Sequence, residues 1–132
     1  MLLEMPFAPW SDYELNAVAS LCFDRKLTVV LAHYERFVAF QKENAMLRRI
    51  LELPVYVQIN GESLLPLFSG RKWVRMFGEK RAHLLGSDSH NLTDRAPNLD
   101  KARALLQKRL GRGALDRIDA CSAKLLGLDV NG

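Results

Sequence analysis

The chain has 132 residues, 48% of them hydrophobic and 26% charged, a globular composition with the length for one core. It is therefore not a disordered segment, and no apolar run reaches the roughly 18 residues that a membrane span needs. The formal net charge of +4 is unevenly spread: residues 1–70 hold six Lys/Arg against eight Asp/Glu, and residues 71–132 hold thirteen against seven.

A basic half attracts phosphate or acidic peptides, or simply solvates helices. Aromatic residues are not interleaved with the basic ones, so a nucleic-acid partner is not expected. The start, Met1-Leu2-Leu3-Glu4, has an acid and no basic n-region, which argues against a signal peptide. Cys22 and Cys121 lie far apart and form no ligand spacing. They read as buried thiols in a reducing cytosol, so the expected location is the cytoplasm.

In chain order, Leu2–Met5 is a short apolar strand. Ser11-Asp12-Tyr13-Glu14 is a capping box, because the serine hydroxyl and the glutamate can satisfy each other's backbone N–H groups. The helix it opens runs to about Arg25, with Leu15, Val18, Ala19 and Cys22 on one face. "KLTVVLAH" is continuous and β-branched, the pattern of a strand buried on both faces. A helix over about Glu43–Leu53 turns Met46, Leu47, Ile50 and Leu51 inward and stops at Pro54. "VYVQIN" is the next strand. "GRKWVRMFGEKRA" is helical with Trp73, Val74 and Phe77 as its apolar edge, and "HLLGS" is a further strand. Leu99 to Leu110 is a helix closed by Gly111, and a last helix covers about Ala114–Leu126.

Alternating strands and helices predict an α/β fold with parallel strands, helices outside and a single domain over residues 1–132. In such folds, functional groups sit at the C-terminal ends of strands. Glu4 sits in or at the end of the first strand, His33 follows "TVVLA", Asn60 ends "VYVQI", and Asp88 and His90 follow "HLLGS". Asp88 and His90 are two apart, so in extended chain they face one point. His83 starts its strand at the other end and reads as structural. Lys101, Arg103, Lys108, Arg109 and Arg112 read as a solvated helix face.

Carboxylate and imidazole together suit zinc, manganese, iron or cobalt rather than calcium. Arg36 and Arg95 are the residue type that clamps phosphate, since a guanidinium offers parallel donors to two oxygens. Metals with two arginines describe phosphate-ester hydrolysis.

"LLEMPF", "VLAHYERF", "VQINGESLL" and "GSDSHNLTDRAP", in this order and spacing, resemble the bacterial capsule-type protein-tyrosine phosphatases. These are manganese-dependent enzymes of the polymerase-and-histidinol-phosphatase (PHP) superfamily. The resemblance extends to about Gly111. It implies a distorted (β/α)7 barrel of the TIM-like kind and a trinuclear metal site. Glu4, His33, Asp88 and His90 would be metal ligands, His90 also counting as catalytic, and Arg36 and Arg95 would hold the phosphate. The metal implied is Mn2+, with Fe, Co, Mg or Zn as substitutes. The implied partner is the phosphotyrosine tail of a bacterial tyrosine autokinase that controls capsule or exopolysaccharide export.

Departures from the family pattern shape further expectations. Tyr34 stands where proline is usual, and Phe37 where tyrosine is usual. Family members begin with a segment bearing an H-x-H motif and further acidic ligands. The chain therefore resembles the C-terminal portion, with residues 112–132 as its C-terminal helix. Open barrel edges would then favour homo-oligomers or instability, and metal binding and activity of the chain alone would be low. The rival expectations are another phosphoesterase of the superfamily, such as a histidinol phosphatase, and a non-catalytic remnant that serves as a binding module.

Overall fold

Short aliphatic runs build the sheet. In the computed structural model, which describes residues 1–6, 8–41, 44–86 and 97–131, these are β1 (Leu2–Leu3), β2 (Val29–Leu31), β3 (Val55–Asn60) and β4 (Leu84–Gly86). They form one four-stranded sheet in the order β1-β2-β3-β4. β1 pairs with β2 in parallel, Leu2 opposite Val30 and Leu3 opposite Leu31. β2 pairs with β3 in parallel, with Val29, Val30 and Leu31 opposite Val55, Tyr56 and Val57. All three β2 residues are buried, as a continuous aliphatic run allows when both faces are covered.

The described chain divides into two compact units, Met1–Gln58 and Ile59–Gly132. In the first, α1 (Asp12–Phe23) begins at the expected capping box. The Tyr13 N–H donates to the Ser11 hydroxyl, and the Ser11 N–H donates to the Glu14 carboxylate at 2.8 Å. The Ser11 hydroxyl, by hydrogen bonding to the Glu14 carboxyl, lowers its pKa below the usual value. Leu15 and Val18 are buried, while Ala19 and Cys22 are only partly covered. A five-residue helix, α2 (Tyr34–Val38), follows β2 directly and was not expected from the sequence. α3 (Asn44–Leu51) packs beside α1, where Arg49 Nη1 donates to Asp12 Oδ1 at 2.7 Å. The expected first residue of that helix, Glu43, lies outside the described residues.

The second unit follows the end of β3 with a 3-10 helix over Gly61–Leu64, then α4 (Arg71–Gly78), α5 (Pro97–Leu110) and α6 (Arg112–Asn131). Trp73 and Phe77 of α4 are buried as expected, and Ala102 and Leu106 of α5 are buried too. Gly111 joins α5 to α6 with φ of 88°, a left-handed turn that glycine adopts without steric cost. Arg103 then reaches across as a fork, donating to both Asp119 oxygens at 2.8 and 3.0 Å.

Gly70 is fixed by a close approach rather than by its dihedral angles. A Cβ there would stand 2.3 Å from the Leu64 carbonyl oxygen and 2.6 Å from that of Pro66. Both obstacles are backbone, so neither can rotate away. Gly70→Ala is therefore expected to cost about 1–3 kcal/mol of stability, read as a lower urea midpoint with an unchanged slope.

Candidate functional site

Parallel pairing brings the C-terminal ends of β1 and β2 to the same edge of the sheet. The register continues one step past the strands, where the Ala32 N–H donates to the Leu3 carbonyl at 2.9 Å. Glu4 and His33 are the next residues, so they leave the sheet side by side. Their side chains meet, with His33 Nε2 3.8 Å from Glu4 Oε1. The imidazole is 22% exposed and the carboxylate 68%. The histidine is thus held by its surroundings, while the glutamate keeps freedom to adjust.

His33 also carries unusual backbone, with φ 53° and ψ 43°. That left-handed conformation costs a side-chain-bearing residue about 1–2 kcal/mol, and such residues concentrate at functional sites. Here it turns β2 sharply into α2, and the Arg36 N–H caps the turn on the His33 carbonyl at 2.9 Å. Arg36 is exposed, one helical turn beyond His33. Its neighbour Glu35 is only 9% exposed.

A second layer fixes the segment beyond Glu4. Gln41 donates from Nε2 to the Ala8 carbonyl at 3.0 Å and to the Phe37 carbonyl at 3.3 Å. Its Oε1 accepts from the Trp10 N–H at 2.8 Å. The Trp10 ring packs tilted on Phe37, centroids 6.2 Å apart. Nothing in the sequence pattern singled out Gln41. Its one signal is position, just past a short helix that starts at a strand end.

Asn60 does end β3, but its side chain is completely buried. Asp88, His90 and Arg95, the other expected site residues, lie outside the described residues; β4 ends at Gly86, shortly before them. Among the described residues, no group of three His, Cys, Asp or Glu side chains is arranged to hold a metal. Glu4 and His33 are the pair of expected ligands that the structure brings together.

That pair fits a divalent cation. Two donors bound to one ion at about 2.1 Å stand roughly 3.0–3.4 Å apart, so the 3.8 Å separation needs only a small rotation of the exposed Glu4 side chain. One oxygen and one imidazole nitrogen are also a donor set that first-row divalent metals accept.

Burial shifts three titratable groups outside this pair, His83, Cys22 and Cys121. His83, part-buried at the start of β4, has its pKa lowered by desolvation. The folded chain therefore favours its neutral form. Stability from this source is present above 6.5, the ordinary histidine value, and is lost as pH falls below it. A thermal melt should show a steeper acid loss in the parent than in His83→Gln. Cys22 and Cys121 are free and only partly buried, a shallower placement than expected, and burial raises both thiols. Among the described residues, no helix is long and apolar enough to cross a membrane.

The fold and this edge define an α/β protein with a parallel sheet and metal-ligand residue types at adjoining strand ends. Comparison with known proteins gives the family. The model of the capsular polysaccharide synthesis family, CpsB/CapC, matches residues 1–126. The tyrosine-protein phosphatase CpsB of Streptococcus pneumoniae is 33% identical over 95 residues, which cover 64% of this chain and 38% of that protein. The tyrosine-protein phosphatase CpsB of Streptococcus agalactiae serotype V is 32% identical over 111 residues, 78% of this chain and 45% of that protein. A chain from the crystal structures of YwqE from Bacillus subtilis and CpsB from Streptococcus pneumoniae, described as unique metal-dependent tyrosine phosphatases, shares the fold. It superposes with a TM-score of 0.69 at 20% identity, covering 90% of this chain and 49% of that one. The chain belongs to the CpsB/CapC family, and it spans less than half the length of these relatives.

Proposed function

We propose that the chain is part of a metal-dependent protein-tyrosine phosphatase, with residues 1–132 forming one portion of a PHP-type (β/α)7 barrel. The observation that carries this reading is the meeting of Glu4 and His33 at neighbouring parallel strand ends, 3.8 Å apart. In this reading Glu4, His33, Asp88 and His90 hold divalent metal, Mn2+ before Fe, Co, Mg or Zn. The bound metal supplies Lewis acidity and a water of lowered pKa.

The chain's own residues do the rest. Arg36, exposed one turn after His33, offers its guanidinium to the phosphate. Arg95 supplies the second fork, and together they offset charge on the equatorial oxygens as the ester bond breaks. The left-handed turn at His33 fixes where α2 starts, and so where Arg36 is presented. The substrate is a phosphotyrosine tail of a bacterial tyrosine autokinase, in the cytoplasm, in control of capsule or exopolysaccharide production. The names of the relatives and the capsular family support this assignment.

The test is hydrolysis of an aryl phosphate with and without added Mn2+. Metal-stimulated turnover in the parent, lowered at least about a hundredfold in Asp88→Ala, is the expected result. Turnover that ignores both the metal and the substitution would remove the proposal.

A further inference from the structure

A groove in the second unit is lined by none of the residues assigned to the proposed chemistry. The loop after the 3-10 helix, α4 and α5 enclose this open groove of about 540 Å3. Its partly exposed lining is aliphatic and includes Leu65, Val74 and Leu110. Three arginines, Arg71, Arg75 and Arg109, line the same groove, and all three are exposed. Among the described residues, none of the ion pairs uses these three guanidiniums.

The loop at the groove displays apolar side chains outward. Leu67 is 64% exposed and Phe68 77%. The Arg71 guanidinium lies 5.5 Å from the centroid of the Phe68 ring. A guanidinium over an aromatic ring is held in place, so less side-chain entropy is lost when it binds a carboxylate. The rigid close approach at Gly70 fixes the loop's path between Leu64 and α4.

An aliphatic lining beside guanidiniums without acidic partners among the described residues is complementary to one kind of occupant. We propose that this groove docks an acidic peptide segment, its apolar anchor on Leu65, Val74 and Leu110 and its carboxylates on Arg71, Arg75 and Arg109. Neither element alone would specify it. The aliphatic lining gives affinity by burying the anchor, and the arginines select by charge and speed the encounter.

The experiment is fluorescence anisotropy of a fluorescein-labelled synthetic peptide in which glutamates flank a Leu-Phe pair. It is unphosphorylated and titrated in chelator-treated buffer, so the outcome is independent of metal and of phosphatase activity. Saturable binding is expected, weakening with added salt. It should fall at least about tenfold in the double variant Arg75→Glu, Arg109→Glu, and when glutamine replaces glutamate in the peptide. The circular dichroism of the variant should match the parent. Equal affinity for the glutamine peptide, or for the double variant, would overturn the proposal. So would a concentration-dependent dimer in sedimentation that the double variant abolishes, since a second copy would then be the occupant.

Discussion

His33→Ala is expected to weaken Mn2+ binding at least about tenfold in calorimetric titration, and metal-stimulated aryl-phosphate hydrolysis with it. The residue does two separable things. Its imidazole stands 3.8 Å from the Glu4 carboxylate, and its backbone sits at φ 53°. Alanine removes the donor but leaves a Cβ in the left-handed conformation. Glycine removes the donor and relaxes the backbone. His33→Gly should therefore bind metal as poorly as His33→Ala while being more stable by about 1 kcal/mol. Retained metal affinity in both variants would show that the imidazole is structural. Equal stability of the two would show that the turn carries no strain.

Phe37→Ala should have the largest effect on folding, a loss of about 3–5 kcal/mol in urea unfolding. Phe37 is 1% exposed and packs on Trp10. Truncation leaves a cavity between α2 and the segment after β1, where little can collapse into it. Against the 5–15 kcal/mol typical of a whole domain, that loss is a large fraction. The damage should also reach the site. Gln41 hydrogen-bonds to the Phe37 carbonyl and to both Ala8 and Trp10, so loosening α2 releases the segment that follows Glu4. Phe37→Leu, which retains most of the volume, should lose less stability and keep more metal affinity. A Phe37→Ala variant as stable as the parent would contradict this packing.

The strands were legible from two patterns: "VVL" is an unbroken aliphatic run buried throughout, and "VYVQI" buries Val57 and Ile59 while Tyr56 and Gln58 are only partly covered. The start of α1 was legible because a capping box is a local device whose two halves lie three residues apart. α2 was not, since five residues are too few for a helical period to show. The left-handed turn at His33 left no trace either: nothing about histidine after "VVLA" announces it, and only the packing of α2 selects it. "LLPLFSG" carried no expectation; Leu67 and Phe68 are exposed there, beside the close packing at Gly70. The site was half legible. Parallel strands forced Glu4 and His33 to the same edge, whereas Gln41, which steadies that edge, carries no chemical signature.

The most direct test is anomalous scattering at the manganese edge from crystals grown with Mn2+. One or more peaks at coordination distance, about 2.2 Å, from Glu4 and His33 and shared with Asp88 and His90, is the predicted result. Density showing these four side chains apart from one another, with manganese elsewhere or nowhere, would contradict a common metal centre and the phosphatase chemistry built on it.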